Sequence, residues 1–479
     1  MPIERNTFRP PAPMPRADWP GLFDLARTLW NNPIEAWTQA HFEQPIVRTH
    51  LPFANIVAVN DPAAVRRVLS DNAENYCKDR FQKRMLTVLS NGLLTAENEQ
   101  WRSQRRLIAP LFTMRAVKSM ASTMSDTIAE FIASWASRDG IIDIAEETTD
   151  LALAVLERTI FSGGIANGRD DLRAAMRTYF DALGRIDPFD LVSLPDFVPR
   201  LSRLYARPAV RIFHQVIDDM IAARQRDLKK NGALDIPHDI LMLLIKARDA
   251  ESGRRLTQEE IRANVITFLA AGHESTANAI TWALYLLSRS PEWRQRVRAE
   301  AEREINVSCS PPFNCLIQTR AVIEESLRLY PPLAAISRMA RANDKLAGVR
   351  VPAGAMVVIS PYVLHRHRFW GKRADQFDPA RFLPGSRENI DRYAYLPFGA
   401  GARGCIASVF ALQEATLAVA AITQKFELEM APDHEVWPVH RITLRPKGGL
   451  PMLVRRCSNI RPKWSTQATR ESADALALH

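Results

Sequence analysis

A glycine-rich segment near the end of the chain carries the residues best suited to chemistry. It reads FGAGARGC over residues 398–405, and an apolar run with helical periodicity follows it. A cysteine at the first turn of a helix meets unpaired backbone N–H groups and the positive end of the helix dipole, which favour a thiolate over a thiol. Glycines permit the tight turn, and Arg403 can pair with an anionic group beside the sulfur. Cys405 is therefore a candidate metal ligand; the alternative is a buried cysteine that opens a core helix.

A second candidate is an acid inside a long apolar run. Glu274 is followed by Ser275 and Thr276 and preceded by the small residues Ala271 and Gly272. A buried carboxyl group needs a reason, and an acid beside hydroxyl groups can relay protons. The alternative is a patch of small residues that lets two helices pack closely.

A third pattern is the Glu-x-x-Arg pair of Glu325 and Arg328, which share one face of a predicted helix. The same spacing occurs elsewhere in the chain, so the pair alone identifies nothing. Its position is more informative, because this apolar helix ends at Tyr330-Pro331-Pro332, upstream of the cysteine segment.

The chain that positions these residues is predicted to be mostly helical. Runs of β type come early, at residues 46–49 and 55–59, and Asp61-Pro62 predicts a helix start. The clearest helix begins at Thr257, which forms a capping box with Glu260, and continues to about Leu287. At a rise of 1.5 Å per residue it is about 45 Å long, enough to cross a domain.

Three further elements are predicted near the cysteine segment. A helix over residues 322–329 stops at the prolines, and a small hairpin joins residues 349–351 and 355–359. Residues 365–398 are expected to be irregular, and a last helix follows Cys405 to about Gln424.

Composition indicates an ordinary globular protein, with 479 residues of which 47% are hydrophobic and 24% charged. It contains no apolar run long enough for a transmembrane helix and no signal-peptide pattern. Its five cysteines lack metal-finger spacing, so we expect a reducing cytoplasm. We expect an irregular lead-in over residues 1–35, one catalytic domain over 36–456 and a polar tail over 457–479.

The formal net charge of +10 is compatible with a nucleic acid, a membrane surface or an acidic protein as partner. Arginines are dispersed through the predicted helices and no nucleic-acid motif accompanies them. An acidic protein is therefore the favoured partner, and we expect a monomer that binds no nucleic acid.

The spacing F-x-x-G-x-R-x-C resembles the haem-binding signature of the cytochromes P450, here of the soluble bacterial type. The resemblance runs from about Asp18 to Arg456. It implies a mainly α fold with small peripheral β-sheets and a long central helix over the haem. It also implies heme b (iron protoporphyrin IX), with Cys405 as the iron ligand and Phe398 and Arg403 in the binding segment. Ala407 departs from the family, which usually has glycine there.

The resemblance assigns roles to the other patterns as well. Glu325 and Arg328, completed by Arg381 of a Pro-x-Arg-Phe segment, would hold the cysteine loop rather than catalyse. Within the long helix, the resemblance implies a catalytic acid and alcohol at Glu274 and Ser275, with Thr276 as a second hydroxyl. The family usually has threonine in place of Ser275. Serine aims its hydroxyl less firmly, so we expect it to affect how efficiently reduction is coupled to oxygenation, and not the class of reaction. The propionate-binding residues implied by the resemblance are Trp101, Arg105 and Arg338, while His365 is more simply a hydrogen-bonded histidine.

The implied activity is insertion of one oxygen atom of O2 into a hydrophobic molecule such as a fatty acid, terpenoid or aromatic. A ferredoxin or flavodoxin with an NAD(P)H-dependent reductase is the expected electron source, because no flavin-binding module is recognisable in the chain. We place the docking face on basic residues of one segment: Arg102, Arg105, Arg106, Arg115 and Lys118. A solvated basic surface is the alternative. A peroxide-driven peroxygenase and a non-catalytic haem sensor remain open as functions.

Apolar residues are expected to line the substrate pocket, with Lys83 and Arg84 at its mouth as possible carboxylate partners. The expected lining is Leu86, Leu89, Leu93, Ala270, Ala271, residues 333–336 and Ile442.

Overall fold

The computed structural model of the chain describes residues 8–51, 54–78, 91–138, 140–162, 201–231, 239–249, 251–307 and 315–457. Helices dominate these residues, and small sheets lie among them. Of the helices described, none is both long and apolar enough to cross a membrane.

The helices form the bulk of the described fold. In chain order its α-helices are α1 (Leu22–Asn31), α2 (Gln39–Glu43), α3 (Pro62–Arg66), α4 (Asn98–Ile108), α5 (Met114–Ser119), α6 (Ala121–Ala133), α7 (Ile144–Phe161), α8 (Leu201–Asn231), α9 (Ile240–Lys246), α10 (Gln258–Ser288), α11 (Pro291–Val307), α12 (Ile317–Leu329), α13 (Pro361–Leu364) and α14 (Ser408–Lys425). Short 3₁₀ turns span Pro33–Ala36, Ala73–Asn75, Ala109–Phe112, Ser134–Ser137, Arg368–Trp370, Pro379–Phe382 and Arg387–Asn389, and a π turn spans Arg67–Asp71.

The strands of the described residues are β1 (Ile46–Leu51), β2 (Ala54–Val59), β3 (Tyr76–Cys77), β4 (Gly140–Asp143), β5 (Ile336–Ala340), β6 (Asp344–Leu346), β7 (Val349–Val351), β8 (Met356–Ile359), β9 (Phe426–Met430), β10 (Pro438–His440), β11 (Leu444–Pro446) and β12 (Pro451–Arg456). The largest sheet has the order β1-β2-β8-β5-β3, in which only the β2–β8 pair is parallel. Smaller sheets have the orders β4-β12-β9, β10-β11 and β6-β7.

The predicted long helix is α10, and its start is the predicted capping box. The Glu260 N–H donates to the Thr257 hydroxyl at 3.2 Å, and the Thr257 N–H donates to the Glu260 carboxylate at 3.0 Å. This reciprocal pairing satisfies two helix N–H groups that have no partner inside the helix. α10 packs against α7, α12 and α14, and most of its side chains are buried in the main hydrophobic core. It is therefore the element around which the helices assemble.

Two expectations are wrong. The lead-in expected over residues 1–35 is not irregular throughout, because α1 and the start of the 3₁₀ turn Pro33–Ala36 lie within it and Leu25 and Ile34 are buried. The expected hairpin is also absent: β7 pairs with β6, whereas β8 lies between β2 and β5 in the largest sheet. The turn before β8 is real, with Gly354 at φ +80°. The strands on either side of it join different sheets because pairing depends on partners distant in sequence.

Candidate active site

The cysteine segment folds as a closed loop ahead of α14. The Cys405 N–H donates to the Phe398 carbonyl at 2.8 Å, and the Gly404 N–H donates to the Gly401 carbonyl at 3.1 Å. Gly401 has a φ of +70°, and a Cβ there would lie 1.9 Å from the Leu69 carbonyl oxygen. Only glycine fits such a position, so the loop can lie directly on the backbone of the neighbouring π turn.

The Cys405 side chain is accessible although protein surrounds it, so the sulfur faces an opening in the molecule. Burial raises the pKa of the Cys405 thiol, while a hydrogen bond from the Ala407 N–H and the charge of Arg105 lower it. Ala407 has a φ of −98°, which any L-residue adopts. Alanine in place of the family's usual glycine therefore costs no backbone strain.

Two arginines connect this loop to its surroundings. The Arg105 guanidinium, on α4, donates to the Gly404 carbonyl at 2.9 Å. Arg403 donates to the Ala96 carbonyl at 2.8 Å, and its guanidinium lies 4.1 Å from the centre of the Trp101 ring. Trp101 thus stacks on Arg403 rather than acting only with Arg105, a contact that its spacing on α4 did not reveal.

Positive charge is concentrated around the loop. Burial and the charges of Arg338, Arg105 and Arg102 together lower the pKa of Arg403 to about 10, and the charge of Glu97 opposes them. Arg338, on β5, donates to the Ser337 carbonyl at 2.8 Å. Mutual repulsion among guanidinium groups is relieved by an anion, so this cluster suits carboxylates such as the propionates of haem.

The acid and the alcohol of α10 lie on different sides of the helix. Ala271 is exposed and Ser275 is partly exposed, while Thr276 is buried. The Ser275 hydroxyl donates to the Ala271 carbonyl at 2.7 Å. Among these three residues, therefore, Ala271 and Ser275 share an accessible face and Thr276 is turned away from it.

Glu274 faces a separate cleft of about 870 Å³. Its carboxylate lies 3.9 Å from the Arg445 guanidinium, and Asn278, one turn further along α10, lines the same cleft. The cleft lies between α10, α7 and the strands β10 and β11, and Ala271 and Ser275 do not line it. Glu274 is consequently placed to exchange protons with this cleft. The next residue, Ser275, places its hydroxyl on the accessible face that it shares with Ala271. Sequence reasoning missed Arg445, since nothing in its surroundings marks it as a partner of α10.

Gly272 serves helix packing. A Cβ at this position would lie 3.2 Å from a methyl carbon of Leu156 on α7. The packing alternative considered for the small residues of α10 therefore accounts for Gly272, whereas Ala271 faces open space.

The Glu325–Arg328 pair is completely buried and doubly hydrogen-bonded, with distances of 2.6 and 2.7 Å. Arg328 also donates to the carbonyls of His365 at 2.8 Å and Gln376 at 3.0 Å. Arg381 approaches Glu325 at 3.9 Å. A buried ion pair persists only when its remaining donors and acceptors find partners, and here the segment that leads to the cysteine loop supplies them.

His365 extends this cluster toward the loop. Its Nε2 accepts the N–H of Leu396 at 2.7 Å, which makes Nδ1 the protonated nitrogen that donates to the Arg328 carbonyl at 3.1 Å. Burial and the charge of Arg328 lower the pKa of His365 to about 3, so the ring is neutral. His365 is thus a hydrogen-bonded histidine of the core. Its partner Leu396 lies two residues before Phe398, where the cysteine loop begins.

The expected pocket is described only in part. Lys83, Arg84, Leu86 and Leu89 lie outside the described residues. The remaining expected lining differs in exposure: Leu333 is exposed and Ile442 half-buried, whereas Leu93, Ala270 and Ala334 are buried. The accessible part of this set is apolar.

Comparison with known proteins identifies the class. A sequence profile described as cytochrome P450 matches residues 11–451. The chain is 32% identical over 435 residues to cyclooctat-9-en-7-ol 5-monooxygenase from Streptomyces melanosporofaciens, covering 89% of this chain and 93% of that protein. It is 33% identical over 391 residues to pentalenene oxygenase from Streptomyces avermitilis, covering 80% and 84% of the two chains.

The fold agrees with these similarities. The crystal structure of a cytochrome P450 heme domain superimposes with a TM-score of 0.79 at 23% identity, covering 94% of this chain and 99% of the other. The chain belongs to the cytochrome P450 family and is a haem-thiolate monooxygenase. The residues of the site fit a haem group. An accessible cysteine receives a backbone hydrogen bond, an arginine cluster lies beside it, and α10 offers an accessible face.

Proposed function

We propose that this monooxygenase holds heme b with Cys405 as the iron ligand and with Arg105, Arg338 and Arg403 on the propionates. The observation that carries this proposal is the loop itself, in which the Ala407 N–H and Arg105 both act on the sulfur. Trp101 stacks on Arg403 and limits its orientations. Phe398 supplies the carbonyl that closes the loop on the Cys405 N–H. When bound, the haem iron supplies the binding and reduction of dioxygen.

Glu274 and Ser275 deliver protons in this proposal. Glu274 takes a proton from the polar cleft, and Arg445 holds its carboxylate near the cleft wall. Ser275 presents its hydroxyl on the accessible face and can donate there by leaving the Ala271 carbonyl. Thr276, being buried, has no part in the proposed transfer and takes a packing role.

The proposed substrate is a terpenoid, in preference to a fatty acid or an aromatic. Two relatives are named for oxidation of cyclooctat-9-en-7-ol and of pentalenene. The accessible lining at Ala271 and Leu333 is apolar and suits a molecule bound by burial of hydrocarbon surface.

Electrons come from a separate ferredoxin or flavodoxin and its NAD(P)H-dependent reductase, in the cytoplasm. The net charge of +10 favours an acidic partner. Arg115 and Lys118, at the start and end of α5, are exposed and adjoin the helix that carries Arg105. These two residues follow closely in sequence the helix whose Arg105 bonds the Gly404 carbonyl beside Cys405. In this proposal they form the docking face.

Turnover with reduced ferredoxin and O2 is compared with turnover with hydrogen peroxide to test the proposal. The purified holoprotein is supplied with ferredoxin, reductase and NAD(P)H, or with hydrogen peroxide alone, and hydroxylated terpenoid is measured. We expect product with the ferredoxin system, and a loss of roughly tenfold or more in Glu274→Gln, because general acid–base groups contribute at least that much. Peroxide already carries its protons, so the peroxide-driven rate should change little in that variant.

Other outcomes would contradict the proposal. Equal or faster turnover of the parent protein with peroxide would identify a peroxygenase. Absence of product and of any Soret shift across terpenoids, fatty acids and aromatics would favour a haem sensor. A pyridine haemochrome spectrum that differs from that of iron protoporphyrin IX would exclude heme b.

A further inference from the structure

The backbone between residues 91 and 96, which we call the connector, leads into α4 and is held by two buried amide side chains. The Leu93 N–H donates to Oδ1 of Asn264 on α10 at 2.8 Å. The Asn91 carbonyl accepts from Nε2 of Gln104 on α4 at 2.9 Å. Neither Asn264 nor Gln104 has measurable exposure. Both amides are therefore committed to backbone of a loop rather than to solvent.

The Asn264 amide is used at both ends. Its Nδ2 donates to the Glu260 carbonyl at 2.7 Å and to Oε1 of Gln104 at 3.1 Å, while Oδ1 accepts from Leu93. The donor on one side and the acceptors on the other allow one orientation of this amide. Because a buried polar group left without a partner destabilises the fold, Asn264 and Gln104 constrain the connector strongly.

The connector also lies close against α10. A Cβ at Gly92 would be 2.6 Å from the Thr267 hydroxyl and 2.7 Å from the Ala263 carbonyl. Glycine is thus the residue that permits this approach. The next residue, Leu93, makes the hydrogen bond to Asn264.

The far end of the connector reaches the cofactor-binding residues. The Ala96 carbonyl accepts from Arg403 at 2.8 Å, and Ala96 is buried. Arg105, next to Gln104 on α4, donates to the Gly404 carbonyl beside Cys405. The hydrogen bonds therefore form a ring from α4 through the connector and the cysteine loop back to α4.

We propose that Asn264 and Gln104 are positioning residues that set the orientation of Arg403 through the connector. They fix Leu93 and Asn91, these fix the Ala96 carbonyl, and that carbonyl directs Arg403 toward a carboxylate of the bound haem. The early turns of α10 are thereby coupled to the cofactor edge. This inference rests on the proposed role of Arg403 and goes beyond it by naming what holds that residue.

The holoprotein provides two readouts. The rate of haem transfer to excess apomyoglobin reports the cofactor contact, and hydrogen exchange of the peptide covering residues 91–96 reports the connector. Asn264→Leu, which keeps the volume and removes the hydrogen bonds, should speed both by roughly tenfold, the loss expected for one to two buried hydrogen bonds. Gln104→Met provides the same test if Asn264→Leu fails to fold.

A double variant separates positioning from general destabilisation. Arg403→Ala should speed haem transfer without changing exchange at residues 91–94. Combined Asn264→Leu and Arg403→Ala should lose haem no faster than Arg403→Ala alone, because both changes remove the same contact. As a matched control, Asn60→Leu removes another buried amide, bonded to the carbonyls of His41 and Gln44, and should leave both readouts unchanged.

Each contrary outcome is distinguishable. Multiplying effects in the double variant, or an unchanged haem transfer rate in both Asn264→Leu and Gln104→Met, would overturn the positioning role. An unchanged rate in Arg403→Ala would instead remove the proposed Arg403 contact with haem, and the inference with it.

Discussion

At Cys405 two opposing effects act on one thiol. Burial raises its pKa, whereas the Ala407 N–H and Arg105 stabilise the thiolate. Burial prevails, so the pKa of the thiol lies above its ordinary value. A cation such as iron, bound at the sulfur, would supply the further stabilisation that the thiolate needs. The spacing of residues 398–405 predicted this residue because loop, helix start and sulfur are close in sequence. The Arg445 partner of Glu274 lies on a distant strand and left no local signal.

Ser275 determines how firmly a hydroxyl is aimed at the accessible face of α10. The Ser275 hydroxyl rests on the Ala271 carbonyl, and serine lacks the γ-methyl that restricts χ1, so the hydroxyl is less firmly aimed once it leaves that carbonyl. We expect Ser275→Thr to lower hydrogen peroxide release per NAD(P)H consumed by roughly twofold to fivefold, corresponding to a rotamer preference of about 0.5–1 kcal/mol. Thr276→Ser, on the buried side, is the control. Unchanged release in Ser275→Thr would show that this hydroxyl does not govern coupling.

At the level of elements, a buried cluster joins α12 to the segment ahead of the cysteine loop. Arg328 bonds Glu325 within α12, and His365 links the Arg328 carbonyl to the Leu396 N–H. Caps and prolines in the sequence predicted α10 and the end of α12, because such signals are local. The partners of β7 and β8, which join different sheets, were not predictable in that way, because strand pairing depends on contacts across the whole fold.

Neutral His365 makes the stability of this cluster sensitive to acid. Its pKa is about 3 in the folded protein and about 6.5 when exposed, so below pH 6.5 the unfolded chain binds a proton that the folded chain does not. Stability should therefore fall as the pH drops from about 6.5 toward 3, with a slope of up to ~1.4 kcal/mol per pH unit from this residue.

Urea unfolding between pH 7 and pH 4.5 measures the effect. His365→Gln should be less stable than the parent at pH 7 but should show a shallower decline on acidification. Replacement of the exposed His50 by glutamine is the control and should retain the parental slope. A parental slope in His365→Gln would mean that His365 is already protonated in the folded protein.

The whole molecule is basic, and its charges are not equally available to a partner. Arg102 lies 3.1 Å from Glu74, and Arg106 lies 3.2 Å from Asp249, so both have acidic neighbours within the chain. Arg115 and Lys118 are exposed on α5. The overall class of fold was predictable from helical periodicity and the signature spacing, but which arginines are engaged internally depends on tertiary contacts.

Charge reversal on α5 tests electron delivery. Arg115→Glu with Lys118→Glu should slow reduction by ferredoxin roughly tenfold at low salt, and the difference should shrink as salt screens the charges. Arg27→Glu with Arg350→Glu, at exposed positions of α1 and β7, reverses the same number of charges and is the control for net charge. Equal slowing in both variants would point to net charge rather than to docking at α5.

The central claim is coordination of iron by the sulfur of Cys405, and the spectrum of the reduced, carbon-monoxide-bound protein tests it most directly. The parent protein and Cys77→Ser should both show the red-shifted Soret band that thiolate ligation produces. Cys405→Ser should lose that band and the oxygenase activity together. Retention of the band and of activity in Cys405→Ser would contradict the account.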